Sequence, residues 1–241
     1  MIIPGVIFYQ FQDRMKGRRK FPEFSMSIKH AITLCTCLCL VLLTGCGLLA
    51  QQPPPTGSIL VQEDFSADNG LWSTALDSDS SMVGYQAEGL RFVVNTPYQD
   101  YFSLYRTPIT HAIIEVNAAK LWGPDDNLFG VVCRYQDPQN YYGFVISSDA
   151  YYGILLVEDG NFEMLTADTM IHNDRIINTG QAVNQIRVGC VQGALWMEVN
   201  GQTLAAVSND RLTHGQIGLM AGTTAETGVD ILFDDFYVFQ P

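Results

Sequence analysis

A chain of 241 residues with 47% hydrophobic and 16% charged side chains is long enough to bury a core without disulfide staples and too apolar to be disordered. Its 25 acidic against 13 basic residues give a formal charge of −12, yet six of the basic residues lie within the first 30 positions. From Thr56 onward seven basic residues, with Lys120 the sole lysine, face 23 acidic ones, so this part carries −16 and repels nucleic acid and anionic lipid.

In chain order, the first element is Ala31 to Leu43, an unbroken apolar run of 13 residues behind a basic stretch and ahead of Leu43-Thr44-Gly45-Cys46. A basic region, an apolar run and a small-residue cleavage site in that order read as an export signal. The ending resembles a bacterial lipoprotein lipobox. The resemblance implies cleavage just before Cys46 and attachment of lipid to the Cys46 thiol. Two or three acyl chains at about 0.8 kcal/mol per buried methylene would anchor the chain durably to a membrane. A single spanning helix over Ala31 to Ala50 is the competing reading, and both place the remainder outside the cytoplasm. Met26 followed by Ser27, Ile28, Lys29 and His30 makes an ordinary start, so residues 1–25 read as an extension. The expected organisation is therefore a signal over 1–45, a lipidated Cys46 with a Pro- and Gln-rich tether over 46–57, and one domain over 58–241. Three consecutive prolines stiffen the tether.

No amphipathic helical stretch follows Ile59. Short runs rich in Val, Ile, Tyr and Phe recur between turn signals instead, which is the all-β pattern. The predicted strands are Ile59 to Asp64, Met82 to Gln86, Leu90 to Asn95, Phe102 to Arg106, His111 to Ala119, Leu128 to Tyr135, Tyr142 to Ser147, Tyr152 to Val157, Phe162 to Leu165, Ile186 to Val191, Leu195 to Val199, Gln202 to Val207, Ile217 to Ala221 and Val229 to Val238. Asp159-Gly160-Asn161 and Asn200-Gly201 tolerate positive φ and predict hairpins. So many strands exceed one small barrel and predict a sandwich of two antiparallel sheets.

The run Glu63-Asp64-Phe65-Ser66 followed by Trp72, the central segment Phe129 to Ser147, Gly215 to Gly222 and the closing Phe233-Asp234-Asp235-Phe236-Tyr237-Val238 together resemble the concanavalin A-like lectin/glucanase sandwich, a jelly roll. More narrowly they are similar to LamG-like domains of bacterial surface lipoproteins and to the neighbourhood of the 3-keto-disaccharide hydrolase family. The resemblance spans nearly all of 59–239 and implies fold more strongly than function. Glucanases of this fold carry Glu-x-Asp-x-x-Glu on one strand, which sets two carboxylates roughly 5 Å apart. That motif is absent. The hydrolase family shows Asn-Ser-Gly before its central Arg strand, where this chain reads Asp126-Asn127-Leu128-Phe129-Gly130.

Three sets of residues remain as candidates. Glu63 and Asp64 near the first strand and Asp234 and Asp235 near the last offer hard oxygen ligands for a structural calcium ion, or else lie solvated on opposite faces. Asp125-Asp126 is a second acidic pair with the composition of a turn. The aromatics Tyr98, Tyr101, Trp122, Tyr135, Tyr141, Tyr142, Tyr151 and Tyr152, beside Arg134, Asp137 and Asn140, have the composition of a glycan platform, since rings stack on sugar C–H faces and polar groups pair with hydroxyls. The alternative is that they fill and edge the sandwich. Consecutive tyrosines point to opposite faces, so one of each pair belongs to the core. Cys133 and Cys190 each occupy a strand-like run and are either a disulfide or two buried thiols. The expected protein is an extracytoplasmic, membrane-anchored lipoprotein whose noncatalytic module binds polysaccharide or glycoprotein glycan. An enzyme of the keto-disaccharide hydrolase type and a structural envelope protein are the competing classes.

Overall fold

Sixteen strands order the chain from Ile59 to Phe239: β1 Ile59–Glu63, β2 Ala75–Leu76, β3 Met82–Gln86, β4 Gly89–Val94, β5 Asp100–Leu104, β6 Ala112–Trp122, β7 Asn127–Asp137, β8 Asn140–Ile146, β9 Tyr151–Glu158, β10 Asn161–Met164, β11 Ile171–His172, β12 Val183–Val191, β13 Ala194–Val199, β14 Gln202–Ser208, β15 Gln216–Thr223 and β16 Val229–Phe239. This computed structural model describes residues 57–77, 79 and 81–241. The predicted export signal, Cys46 and the predicted tether as far as Thr56 lie outside the described residues. Among those described, no helix is long and apolar enough to cross a membrane.

All fourteen predicted strands are present, and the two additions, β2 and β11, are two-residue strands too short to leave a periodic pattern. The strands form two antiparallel sheets, one of nine strands in the order β14-β13-β12-β6-β16-β4-β3-β2 with β1 beside β16, and one of seven in the order β10-β9-β8-β7-β15-β5 with β11 beside β9. This is the jelly-roll sandwich. The late strands β15 and β16 each slot between earlier ones, β15 between β5 and β7, β16 between β6 and β4. The domain therefore closes only when its last segment arrives.

Alternation along each strand builds the core between the sheets. Ile114, Val116, Ile186, Val188, Ile231 and Phe233 project from the larger sheet, and Phe129, Val131, Phe144, Ile154 and Leu219 from the smaller. Cys133 on β7 and Cys190 on β12 meet across this layer as a disulfide with Cα atoms 6.6 Å apart. Of the two alternatives for these cysteines, the structure contains the bridge, and it joins one sheet to the other.

The Glu63-to-Trp72 motif gains a physical role. Phe65 turns back into the core at φ 51. There its ring meets Trp72 edge to face at 5.2 Å, and Trp72 meets Phe236 of β16 at 4.7 Å. The Glu63 carboxylate holds the turn by accepting from the Phe65 N–H at 3.1 Å and from the Asn69 side chain. First and last strands pair directly, with Glu63 opposite Phe236 and Ile59 opposite Phe239.

Candidate functional site

The smaller sheet is apolar on both faces. Opposite its core-facing side chains, Leu128, Val132, Tyr135, Tyr141, Val145, Leu155, Val157 and Met220 form, with Met170 from the segment between β10 and β11, a second hydrophobic cluster whose members are at most 8% exposed. It is bordered by Phe102, Leu104, Tyr151, Phe162 and Met164. The near-continuous apolar run of β7 is the sequence counterpart of a strand buried on both sides.

Register places these residues in rows across the sheet. One row runs Asp100, Gly222, Leu128; the next Phe102, Met220, Gly130, Val145, Gly153; the third Leu104, Gly218, Val132, Gly143, Leu155, Met164. Glycine alternates with larger residues in both longer rows, and neighbours lie down over the gaps. A Cβ added at Gly143 would meet Leu155 at 3.0 Å, and one at Gly153 would meet the Met164 sulfur at 2.5 Å. The result is a levelled apolar floor. Phe102, Tyr135 and Tyr141 gather at one side, with ring centroids 5.2 Å from Phe102 to each tyrosine and 5.8 Å between the tyrosines.

Into this face projects one charged side chain. Asp100 shares the face with Phe102 because the two are separated by one residue on β5. Its residue is 7% exposed, and neither carboxylate oxygen has a hydrogen-bond partner. It lies over Gly222, where a Cβ would come within 1.8 Å of Oδ1. Burial pushes the carboxyl up to about 7. Burial, with Asp100 and Tyr135 nearby, pushes the Tyr141 hydroxyl well above its ordinary value, and burial takes Tyr135 up to about 12.

The predicted platform is divided by the structure. Tyr135, Tyr141 and Tyr151 belong to the outer face. Tyr101, Tyr142 and Tyr152 are corrected to the core, because the alternation that turns one of each pair outward turns the other in. The Tyr142 hydroxyl donates to Asn209 Oδ1 at 2.6 Å and accepts from the Leu212 N–H at 3.1 Å, and the Tyr101 hydroxyl donates to Asp77. Arg134 is also corrected. It is 1% exposed at a bulge in β7, with its guanidinium donating to the carbonyls of Leu212, at 2.6 Å, and Gln192, and lying over the Tyr142 ring. Its charge ties two loops to the sheet and is out of reach of a surface ligand. Asp137 and Asn140 build the β7–β8 turn, where Asp137 accepts from the Gln139 N–H at 2.7 Å and the Asn140 side chain at 3.1 Å. Tyr98 stands in the β4–β5 loop with φ 53, its N–H donating to Thr224. Trp122 is 71% exposed at the end of β6, on the other sheet. Asp100 is missing from the sequence candidates because the predicted strand starts at Phe102, and Phe102 lies within that strand without a pattern that marks it out.

The four carboxylates expected to hold calcium lie on or beside the paired strands β1 and β16, each taking a hydrogen bond from the chain itself. Glu63 spends both oxygens on its own turn; Asp64 accepts from the Ser66 N–H at 3.0 Å, Asp234 from the Asp235 N–H at 2.7 Å and Asp235 from the Asn117 side chain at 3.0 Å. Burial raises Asp234, with further contributions from Asp235, Asp64 and Glu88. Among the described residues no three His, Cys, Asp or Glu side chains converge as metal ligands. Asp125 pairs with Lys120, whose ammonium also donates to the Gly123 carbonyl at 2.8 Å, so that acidic pair belongs to a turn.

No protein-family model matches the sequence, and no curated protein matches it either. Solved structures do match. The chain is similar to a carbohydrate-binding module (CBM66) from Bacillus subtilis, with a TM-score of 0.57 and 12% identity over 70% of this chain and 96% of that one. It is similar to a galectin-like protein of unknown function from Bacillus subtilis, with a TM-score of 0.55 and 12% identity over 77% and 97% of the two chains. A Bacillus licheniformis beta-glucanase aligns with a TM-score of 0.55 and 11% identity over 77% and 99%. At these identities the likeness is one of fold, and it agrees with a concanavalin A-like sandwich.

Proposed function

We propose that this protein is a surface-anchored lipoprotein whose sandwich binds extracellular glycan, without catalysis, at the aromatic margin of the seven-stranded sheet. The observation that carries the reading is the margin of that sheet, where the rings of Phe102, Tyr151 and Phe162 are partly exposed beside a buried apolar floor. Flat apolar surfaces beside a few fixed polar groups suit sugars, whose rings offer both C–H faces and hydroxyls. Fold neighbours whose names include a carbohydrate-binding module support the same reading. The hydrolase alternative needs two facing acids. Burial alone raises Asp100, with no second carboxyl group contributing.

Anchoring through Cys46 and an extracytoplasmic location are part of the proposal. They draw support from the lipobox-like Leu43-Thr44-Gly45-Cys46 and from the Cys133–Cys190 disulfide, a bond that persists in oxidising compartments. A glycan array probed with the detergent-solubilised full chain tests the binding. Retention of neutral glycans, weakened by Phe102→Ala, is the expected result; silence across the array, together with no saccharide turnover, leaves the structural envelope role. Cys46→Ser tests the anchor and is expected to move the protein from the membrane to the soluble fraction.

A further inference from the structure

Trp122 and Leu76 are the most exposed large apolar side chains among the described residues, at 71% and 79%. Apolar residues exposed singly are ordinary on a protein surface. These two are not scattered. Register sets them at opposite ends of one row: Trp122 on β6 is opposite Asp230 on β16, Asp230 opposite Val93 on β4, Val93 opposite Met82 on β3, and Met82 opposite Leu76 on β2. Val83, Phe92, Val94, Val229 and Ile231 point into the core, so alternation turns Met82, Val93 and Asp230 outward on the nine-stranded sheet, in line with Trp122 and Leu76. Five strands spaced at about 4.8 Å make the row about 19 Å long. Near its middle the half-exposed Arg91 clasps Asp230 through Nε at 2.8 Å and Nη2 at 2.6 Å, and donates to Gln86 at 3.2 Å. A guanidinium carries five N–H donors, so these bonds leave two for something outside the sheet.

We propose that this row is a second binding site, for a linear uncharged polysaccharide that lies across the strands with one ring stacked on Trp122 and hydroxyls taking the spare Arg91 donors. The site is separate from the margin of the seven-stranded sheet and does not rest on the reading of that margin. Length and width choose the occupant. One pyranose of an extended chain is about as long as one strand spacing, so about four rings cover the row. Their C–H faces suit the indole and the aliphatic side chains, and their hydroxyls suit the ion pair set among them. Four residues along β16 the face turns polar, at Asn117 and Asp234, so the strip measures at most about 19 by 14 Å, well short of the roughly 800 Å² that each partner buries in a standard protein interface. An extended peptide adds to a free sheet edge; laid across the strands, its N–H and C=O groups would find no backbone partner. Polyanions are repelled by a domain of charge −16.

The test titrates the full chain in detergent with soluble xylan and β-glucan, reading affinity and the quenching of tryptophan emission by acrylamide. Of the three tryptophans, Trp72 is 3% exposed and Trp196 is half-buried under the Arg187 guanidinium, so the quenching reports chiefly on Trp122. At least one of the two polysaccharides is expected to bind the wild type and to shield its emission. Phe102→Ala is expected to keep that shielding. Adding Trp122→Ala to Phe102→Ala is expected to weaken the remaining binding about tenfold, as truncation of a Trp anchor does, and to leave the melting temperature where Phe102→Ala put it. Because the shielding is read on the unaltered protein, the test stands even if a variant folds poorly. Binding without shielding, or binding already lost in Phe102→Ala, overturns this site and leaves the reading of the seven-stranded margin standing. Binding that Trp122→Ala abolishes and Phe102→Ala does not touch supports this site and overturns that reading. Failure of the wild type to bind xylan or β-glucan overturns both. Self-association in sedimentation that Trp122→Ala abolishes makes the strip an interface between copies and overturns the glycan occupant.

Discussion

The two sheets differ in the face that each turns away from the core they share, half-exposed on one and buried on the other. On the nine-stranded sheet, alternation exposes a charged lattice: Arg187 reaches Glu198 at 3.0 Å and Glu115 at 3.6 Å with its guanidinium 5.3 Å from the Trp196 ring, and Arg91 clasps Asp230 at 2.6 and 2.8 Å. On the seven-stranded sheet the same alternation sets Val132, Val145, Leu155 and Met220 outward, with glycines between them and the unpaired Asp100 at one margin. The first face satisfies its own polar groups. The second does not. An antiparallel sheet covered on one side ordinarily reads apolar inward and polar outward. The seven-stranded sheet instead buries apolar side chains on both sides and holds an acid with no donor.

The contrast can be broken experimentally. The largest expected effect comes from the bond that holds the faces in one body. Cys133–Cys190 closes a separation of 57 residues, which corresponds to about 4 kcal/mol in the chain-entropy account of cross-links. Reduction should lower the melting temperature steeply in calorimetry, and an unchanged transition would show that the sheets hold together without it. Next, Val132→Lys places a charge in the middle of the apolar face and should cost roughly 3 kcal/mol in urea unfolding, whereas Asn117→Lys on the other sheet should change stability by less than about 0.5 kcal/mol. Equal effects would erase the distinction between the faces.

Asp100→Asn sharpens it. A carboxyl with a folded-state pKa of about 7 and an unfolded value of 3.8 binds its proton more tightly in the native state. Native stability therefore falls as pH rises from about 4 to about 7 and levels off above that. The variant should lack this decline and be more stable than the wild type by about 2 kcal/mol at pH 8. Tyr141, the titratable group coupled to Asp100 across the face, stays protonated throughout that range. A wild type whose melting temperature matches the variant's at every pH would remove the buried charge from the account. Arg187→Ala, on the exposed lattice, should cost only about 1 kcal/mol, and high salt should shrink the difference further. Smallest of all, added calcium should change the melting temperature little, since Glu63, Asp64 and Asp234 each already accept a hydrogen bond from a neighbouring backbone N–H.

How much of this the sequence revealed depended on range. Local signals were plain: Asp159-Gly160 and Asn200-Gly201 make the predicted hairpin turns with positive φ at both residues. Alternation correctly required that Tyr141 and Tyr142 face opposite ways, but which one faces the core depends on the other sheet, and that information lies in no local pattern. The Arg134 position is obscured for a related reason. A bulge between Cys133 and Asp137 shifts the register there and sends the guanidinium inward, to carbonyls contributed by Gln192 and Leu212 far along the chain. Asp100 was legible in part. Asp100, Phe102 and Leu104 do alternate with Tyr101 and Ser103, but aspartate is disfavoured in strands, which sets the expected start two residues late. The residue that breaks the propensity rule is also the one the fold leaves unsatisfied.

The pairing of the first strand with the last has a mechanical consequence. Tension arriving along the chain before Gly57 enters the domain at β1, five residues held along one side by β16 alone. Tension applied at the aromatic margin would enter the opposite sheet. The two load paths meet at side-chain packing, which yields by sliding, and at one covalent bolt, Cys133–Cys190. Under any pull between the chain before Gly57 and the seven-stranded sheet, the short β1 ladder is the weak link. Its failure would peel five residues away and lengthen the chain before the domain while the seven-stranded sheet stayed riveted to its partner.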